Sequence, residues 1–300
     1  MPDLRLEYSD PYTSRLEDAQ IAEALAERAQ DVDLGGLLRE HWRMTDKPEK
    51  LIERFVARDI AALEQAESYV DAVERRLGRR LGPGDRVLEV GCGTAALAAV
   101  VARRESAVVA SDVSMRWLVL AKKRLEELGL NVELACCCAE ALPFGDGAFD
   151  LVIAGDVVEH VADQRLFVLE SARVLAPGGL LFLATPNRYS LGLEPHVRLW
   201  GVGLLPRRAA RWYVERVRGT PYDHVRLLSS RTLRRLLEGA GLRVTIESPA
   251  VPEVSQRFAR GFERRLMRLY NAVRGIRVVR SGLLLVGPFF HVFAVKDEAQ

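Results

Sequence analysis

The stretch VLEVGCGTAA, residues 87–96, decides the fold. An apolar run enters Gly91-Cys92-Gly93, and small residues suited to a helix start follow. Two glycines one residue apart permit the left-handed backbone and close approach that a tight strand-to-helix turn demands. Such turns hold nucleotide-like ligands at a helix N-terminus, and several unrelated chemistries use them.

Outward from this turn the chain alternates. RVLEV (86–90), AVVASD (107–112), NVELACC (131–137), DLVIAGD (150–156) and LLFLATP (180–186) have the texture of strands. The segments 94–104, 114–129 and 163–176 between them are amphipathic helices, the last ended by Pro177-Gly178-Gly179. Two later strands, LRVTIES (242–248) and VGPFFHVFAVK (286–296), follow a capped helix at 229–241 and a basic helix near 253–275. This pattern predicts an α/β, Rossmann-like, seven-stranded and mostly parallel sheet with helices on both faces and an antiparallel strand at its edge. Such sheets bind ligands at the carboxyl ends of their strands.

Two regions flank that pattern. Residues 1–81 read as a helical N-terminal cap region ahead of a domain at 82–300. A helix at 13–30 starts behind a Thr/Ser cap, and a long helix opens at Asp46 and Pro48 and runs to about Arg80. After Asn187 an irregular stretch, rich in Arg, Trp, Tyr, Gly and Pro, is too long for an ordinary connection and predicts a substrate lid inserted at about 188–228.

Composition sets the class. With 300 residues, 49% hydrophobic and 28% charged, the chain is an ordinary globular one. Its start, MPDLRLEYSD, has neither a basic nor an apolar leader region, and the longest apolar run (283–295) is broken by Gly287 and Pro288. That run is shorter than the ~20 residues a bilayer span needs, so a cytoplasmic protein is expected. The four cysteines, Cys92 and Cys136-Cys137-Cys138, have no paired C-x-x-C spacing. They read as small apolar filler, and no disulfide or metal site is expected. Charge is uneven: residues 1–81 hold 13 basic against 18 acidic groups, whereas 188–280 hold 20 arginines against 7 acids. The basic segment suits an anionic membrane surface. No RNA-binding module accompanies it, so nucleic acid is not an expected partner.

The turn formally satisfies G-x-G-x-x-A, and Asp112 ends the second strand where a ribose-hydroxyl acceptor belongs. Those two features suit a nicotinamide dehydrogenase and a nucleoside-type cofactor equally. Glu89 breaks the tie, because a carboxylate two residues before Gly91 suits a cofactor bearing an ammonium group and disfavours a pyrophosphate. The segments AEALPFGDGAFD, LVIAGDVVEHV and RVLAPGG complete a set of four motifs in order.

With these motifs the chain resembles the class I S-adenosylmethionine-dependent methyltransferases, notably the broad family of ubiquinone/menaquinone-biosynthesis-like enzymes. The resemblance covers about residues 81–187 and resumes loosely at 224–248. It implies S-adenosyl-L-methionine as cofactor. Gly91, Cys92 and Gly93 would let the backbone approach the methionine moiety, with Glu89 near its amino group. Asp112 would accept from the ribose hydroxyls, and Val113 would pack on the adenine. Family members often carry Asp-Ala at the end of the third strand; here the pair is Cys138-Ala139, which hands the adenine contact to the Ala139 amide or to Glu140. Asp156 and Val157 would lie beneath the methionine.

The acceptor side is written less plainly. Asp156, His160, His196 and His224 are candidate catalytic groups, His160 also serving as a structural hydrogen-bonding residue in the family's Glu159-His160 position. Asn187, Tyr189, Trp200 and Tyr222 are candidates for the acceptor pocket, with Trp212 as another aromatic of the segment. The resemblance implies in-line methyl transfer to O, N or C of a small molecule. The alternatives are transfer to an anionic lipid-linked or carrier-bound substrate at a membrane surface, and a non-catalytic cofactor-binding relative.

Overall fold

The computed structural model describes residues 14–45, 48–259 and 261–298. Four helices come first: α1 (Arg15–Arg28), α2 (Leu34–Arg43), α3 (Glu49–Ile60) and α4 (Ala62–Leu77). The sheet region follows with β1 (Arg86–Val90), α5 (Ala96–Ala102), β2 (Ala107–Asp112), α6 (Met115–Glu127), β3 (Glu133–Cys136), β4 (Phe149–Gly155), α7 (Gln164–Val174) and β5 (Leu175–Pro186). After these come a short 3₁₀ turn (Val202–Leu204), α8 (Arg207–Arg218), α9 (Ser230–Glu238) and β6 (Leu242–Glu247). The chain ends in α10 (Glu253–Phe258), α11 (Gly261–Val273), α12 (Arg277–Val286) and β7 (Phe289–Lys296).

The seven strands lie in the order β3-β2-β1-β4-β5-β7-β6. Only β7 runs antiparallel, against β5 and β6. Strand order therefore reverses between β1 and β4, and the crevice over their carboxyl ends is the binding position of an open α/β sheet. Alternation along each strand fills both faces. Val87, Ile153, Phe182 and Phe293 pack with α4 and α5 on one side, while neighbours Leu88, Val152, Leu181 and Val292 pack with α7 and α9 on the other.

The N-terminal helices differ from expectation in detail. Ser14 and Glu17 form a reciprocal capping box that starts α1. Asp33 caps an additional helix, α2, through the Gly36 amide. The long helix starts after Pro48, the expected Asp46 cap lying outside the described residues. It breaks at Ala61, where the Arg124 guanidinium of α6 donates to the Asp59 carbonyl at 2.5 Å. Leu25, Leu37, Leu38, Ile52 and Val56 of α1–α3 meet Leu120 of α6 in their own cluster. α1 is also bolted down by a buried charge: Asp18 accepts from Ser114 Oγ at 2.5 Å, the Met115 amide at 2.7 Å and Arg116 at 2.8 Å.

The segment 188–228 is more ordered than its composition predicts. It contains α8, and Leu199, Val202, Ala210, Val214, Tyr222 and Val225 form a small core of its own. Its two ends meet, the Arg188 amide donating to the Leu228 carbonyl at 3.0 Å. Between β6 and β7 three helices stand where one basic helix is expected, and α12 occupies residues whose apolar run reads as the approach to a strand. All four cysteines are free. Cys92 is buried as filler should be, but Cys136 is exposed, because it ends the edge strand β3. Among the described residues no helix is long and apolar enough to cross a membrane.

Candidate active site

The glycine turn leaves β1 with Gly91 at φ +69° and Gly93 at φ +50°. A Cβ on Gly91 would stand 2.4 Å from Val157 Cγ2, so this glycine is required by the residue that follows β4 as well as by its backbone. A Cβ on Gly93 would meet nothing within 4 Å; that side of the turn opens onto space where a ligand can reach the backbone. Ala95 shares the left-handed region at φ 52° and starts α5 without a side-chain cap.

Carboxylates surround the turn. Asp112, at the end of β2, accepts from the Gly93 amide at 2.9 Å and from the Ser114 amide at 3.0 Å. Glu89 is buried and accepts from the Ala98 amide at 2.8 Å, anchoring α5. Burial raises its pKa to about 8, the Asp112 charge adding to the effect and the Ala98 bond opposing it. An ammonium group placed beside it would draw that value down. Val113 is half-buried and Ala139 buried. Glu140 is committed elsewhere: its Oε1 accepts the Ala162 and Asp163 amides at 2.7 and 3.2 Å and so positions the start of α7. The loop 141–148 is held by Arg173, which donates to the Leu142 and Phe144 carbonyls and pairs with Asp146 and Glu170.

The other side of the crevice begins at Asp156, a non-glycine residue at φ 56° whose amide donates to the Ala184 carbonyl. Its side chain remains accessible from the cleft, yet protein crowds it on most sides. That desolvation raises its pKa, with His196 and Arg58 pulling the other way. Three residues on, Glu159 is fully buried; its Oε2 accepts from Thr185 Oγ1 at 2.9 Å and its Oε1 has no partner. Burial and the Asp156 charge push its pKa to about 8.

Around these carboxylates the structure gathers the histidines. His196 Nδ1 lies 2.5 Å from Glu194 Oε1, and its Nε2 lies 3.1 Å from His160 Nε2. The His160 ring also stacks at 6.5 Å on His224, which has Tyr222 at 6.4 Å beyond it. Tyr222 is buried with its hydroxyl unpartnered. Burial, then the charges of His196 and His224, lower the His160 pKa to about 3. Burial would lower His196 as well, but the Glu194 hydrogen bond and charge, with Glu159 and Asp156 behind, outweigh it and raise its pKa. Glu159, His160 and His196 each offer one ligand atom, all within 4.8 Å of one another, the spacing of a metal-binding triad.

Thus Asp156, His160, His196, His224 and Tyr222 come together at the end of β4. Asn187 does not join them. It is buried at the head of the insertion, where its Nδ2 donates to the Leu285 and Gly287 carbonyls and its Oδ1 accepts the Tyr189 amide. An amide so fully used ties strand β5 to α12 and cannot face an acceptor. Tyr189 and Trp200 are exposed, the former under the Arg188 guanidinium and the latter donating to the Leu191 carbonyl. Glu194 and Glu159 are the functional groups sequence reasoning missed. The i, i+2 spacing of Glu194 and His196 was the available signal for the first; nothing local marks the second as unpaired.

Comparison with known proteins agrees with this geometry. Residues 88–183, from β1 into β5, match the family model described as a methyltransferase domain. A ubiquinone biosynthesis O-methyltransferase from Parvibaculum lavamentivorans is 36% identical over 132 residues, 42% of this chain and 51% of that protein. The chain spans about half the length of the curated relatives it matches. Among solved structures, the cyclase SpnF aligns with a TM-score of 0.52 at 22% identity, over 77% of this chain and 80% of that one. Phosphoethanolamine N-methyltransferase 2 from Haemonchus contortus, in complex with phosphomonomethylethanolamine and S-adenosylhomocysteine, aligns with a TM-score of 0.51 at 17% identity, over 78% and 52%. Strand order and glycine turn surround the match, so residues 88–183 are a methyltransferase domain. S-adenosylmethionine is the cofactor that goes with that domain.

Proposed function

We propose that the protein transfers a methyl group from S-adenosylmethionine to a hydroxyl of a small acceptor, most simply a phenol. The carrying observation is the chain Glu194–His196–His160 at the carboxyl end of β4. It supplies a proton acceptor, which an oxygen nucleophile needs as it loses its proton. The name of the curated relatives, O-methyltransferase, supports the choice of oxygen.

The residues fit the cofactor. Gly93 opens the turn to it, Asp112 has acceptor positions for its ribose hydroxyls, and Glu89 is a buried carboxyl that an ammonium would ionise. Val113 and the Ala139 amide border the adenine position, while Gly91, Cys92, Asp156 and Val157 line the methionine side. S-adenosylmethionine supplies an electrophilic methyl group whose thioether leaves neutral, so no general acid is required. The protein's part is to hold nucleophile and methyl in line and to take up one proton.

Glu194 accepts the Nδ1 hydrogen of His196, which makes Nε2 of the neutral ring an acceptor; His160 then donates to it from its own Nε2. The acceptor hydroxyl gives its proton to His160 Nδ1 while the Nε2 hydrogen of His160 moves to His196. The proton ends on the ring whose pKa is raised, beside a carboxylate, and leaves the ring whose pKa is lowered. In this reading the helices α1–α4 and the insertion at 188–228 enclose the crevice.

The test is mass-spectrometric detection of methylated product from a panel of mono- and dihydroxybenzenes, with and without an isoprenoid tail. Product from no phenol, with S-adenosylhomocysteine release no faster than without acceptor, would sink the proposal.

One observation favours a second setting for the same chemistry. α11 buries none of its residues and exposes Phe262 and Leu269 beside Arg264, Arg265 and Arg268, and Val278 is exposed on α12. An apolar face flanked by arginines suits an anionic lipid surface that would present a lipid-linked acceptor. Salt-sensitive sedimentation with anionic but not neutral vesicles is expected for it, and absence of sedimentation rejects it.

A further inference from the structure

Between α4, β7 and the loop after β6 lies a cavity of about 600 Å³. Such a volume suits a small molecule. α4 contributes Ser68, Arg75 and Arg76; the loop after β6 contributes Pro249, Ala250 and Pro252; Arg274 comes from just beyond α11 and His291 from β7. The one carboxylate in the lining, Glu247, stands 3.9 Å from a fourth arginine, Arg280. Arg76 spends a single nitrogen on Thr245 Oγ1 at 3.3 Å and lies over the Phe293 ring at 6.0 Å. Cations therefore outnumber anions around the space.

Two buried polar atoms there lack partners. His291 is 6% exposed, and its Nε2 makes no hydrogen bond; the Nε of Arg274 is likewise unsatisfied. An unpaired buried donor costs free energy unless a ligand or water meets it. Burial first, and then the positive charges of Arg75 and Arg274, hold the His291 pKa down at about 3, which reports the sign of the field at this point. The ring is locked edge-on between Tyr69 at 5.2 Å and Phe182 at 5.0 Å, so its unpaired atom is presented in a fixed direction.

We propose that this cavity is a second ligand site, separate from the methyl-transfer cleft, that binds a small molecule through a phosphoryl group. A phosphoryl group has enough oxygens to engage Arg75, Arg274 and His291 together, whereas a carboxylate is satisfied by one arginine fork. Ala72, the two prolines and Phe293 give the rest of the molecule an apolar wall. One side chain lies between the two sites. Tyr69 contacts His291 and also covers Gly155, where an added Cβ would meet its ring at 3.1 Å, immediately before Asp156.

The site is tested by isothermal titration of the full chain with sodium pyrophosphate at fixed ionic strength, with and without saturating S-adenosylhomocysteine. Saturable binding unaffected by S-adenosylhomocysteine is expected, weakened about tenfold in Arg75→Ala and further in Arg75→Ala/Arg274→Ala. Arg75 is exposed, so its removal leaves folding intact, and S-adenosylhomocysteine affinity, titrated separately, verifies this. Phosphatidic acid vesicles form a second arm. Pyrophosphate binding assigns the site to a free phosphorylated molecule. Vesicle binding that the double variant abolishes, without pyrophosphate binding, assigns it to a lipid headgroup. No saturable binding in either arm, binding equal in the double variant, or displacement by S-adenosylhomocysteine overturns the proposal.

Discussion

The glycine turn and the histidine cluster face one crevice but are assembled in opposite ways. The turn is local: Glu89, Gly91, Gly93 and the start of α5 lie within ten residues, and Asp112 and Val157 join them from elsewhere. The cluster is borrowed. His160 sits directly after β4, but His196, Glu194, Tyr222 and His224 arrive on an insertion that leaves the sheet at Arg188 and returns at Leu228. In the proposed reaction, the half that would hold the cofactor is thus built into the fold, and the half that would meet the acceptor is built onto it. Loops on a rigid scaffold are where function changes.

The largest expected effect breaks the borrowed half alone. His196→Ala should lower phenol methylation by ~10²–10⁴-fold, the worth of a positioned proton acceptor. S-adenosylhomocysteine affinity, read by calorimetry, should not move. If affinity falls with turnover, the two halves are not separable. If turnover falls only after chelation with EDTA and returns with a divalent ion, the triad Glu159, His160 and His196 holds a metal instead of a shared proton.

The next effect concerns how the N-terminal helices are tied to the cofactor side. Asp18→Ala removes three hydrogen bonds and leaves the buried Arg116 guanidinium short of its carboxylate. A stability loss of ~3 kcal/mol is expected in chemical denaturation, because breaking a buried pair strands a charge. A loss below about 0.5 kcal/mol, the level of a surface pair, would mean that α1 is only loosely attached.

Gly91→Ala comes third. The left-handed φ of +69° and the 2.4 Å approach to Val157 Cγ2 together predict a loss of ~1–3 kcal/mol and weaker cofactor binding. Adding Val157→Ala should restore the part due to the clash and not the part due to the backbone. Full additivity of the two variants would show that turn and β4 are not in contact in solution.

The size of these effects does not follow how legible each part was. Strand-helix alternation, the glycine turn and Asp112 were readable because short-range periodicity and backbone requirements write them into neighbouring residues. The histidines were visible as candidates, yet their partnership was not, since it depends on where a 41-residue insertion folds back. The helical content of that insertion was hidden because α8 buries only Ala210 and Val214, while its Trp212 and Val217 stay exposed. Asn187 was misjudged for a related reason: a polar residue at a strand end reads the same whether it faces a cleft or braces α12. The break at Ala61 coincides with the Arg124 bond to the Asp59 carbonyl, from sixty-odd positions away, which no local pattern marks.

The smallest effect sharpens the comparison most, because it is read as a shift of the pH profile. In the proposed reaction His196 must be neutral to take the proton, so turnover falls as pH drops through its pKa. Glu194 is the first influence holding that pKa up against burial. Glu194→Gln removes the charge and keeps a hydrogen-bonding oxygen, so the acid limb should move to lower pH while the plateau falls because the proton's destination is less basic. Glu159→Gln provides the control in stability. Its carboxyl is raised from 4.5 to about 8 in the folded chain, so the folded state holds this proton more tightly than the unfolded state does. That contribution is present in full below about pH 4.5 and disappears as pH rises to about 8, so wild-type stability should decline across this window and decline less in Glu159→Gln. An acid limb unmoved in Glu194→Gln would remove His196 as the titrating group and leave Asp156, whose pKa is also raised, as the group to vary next.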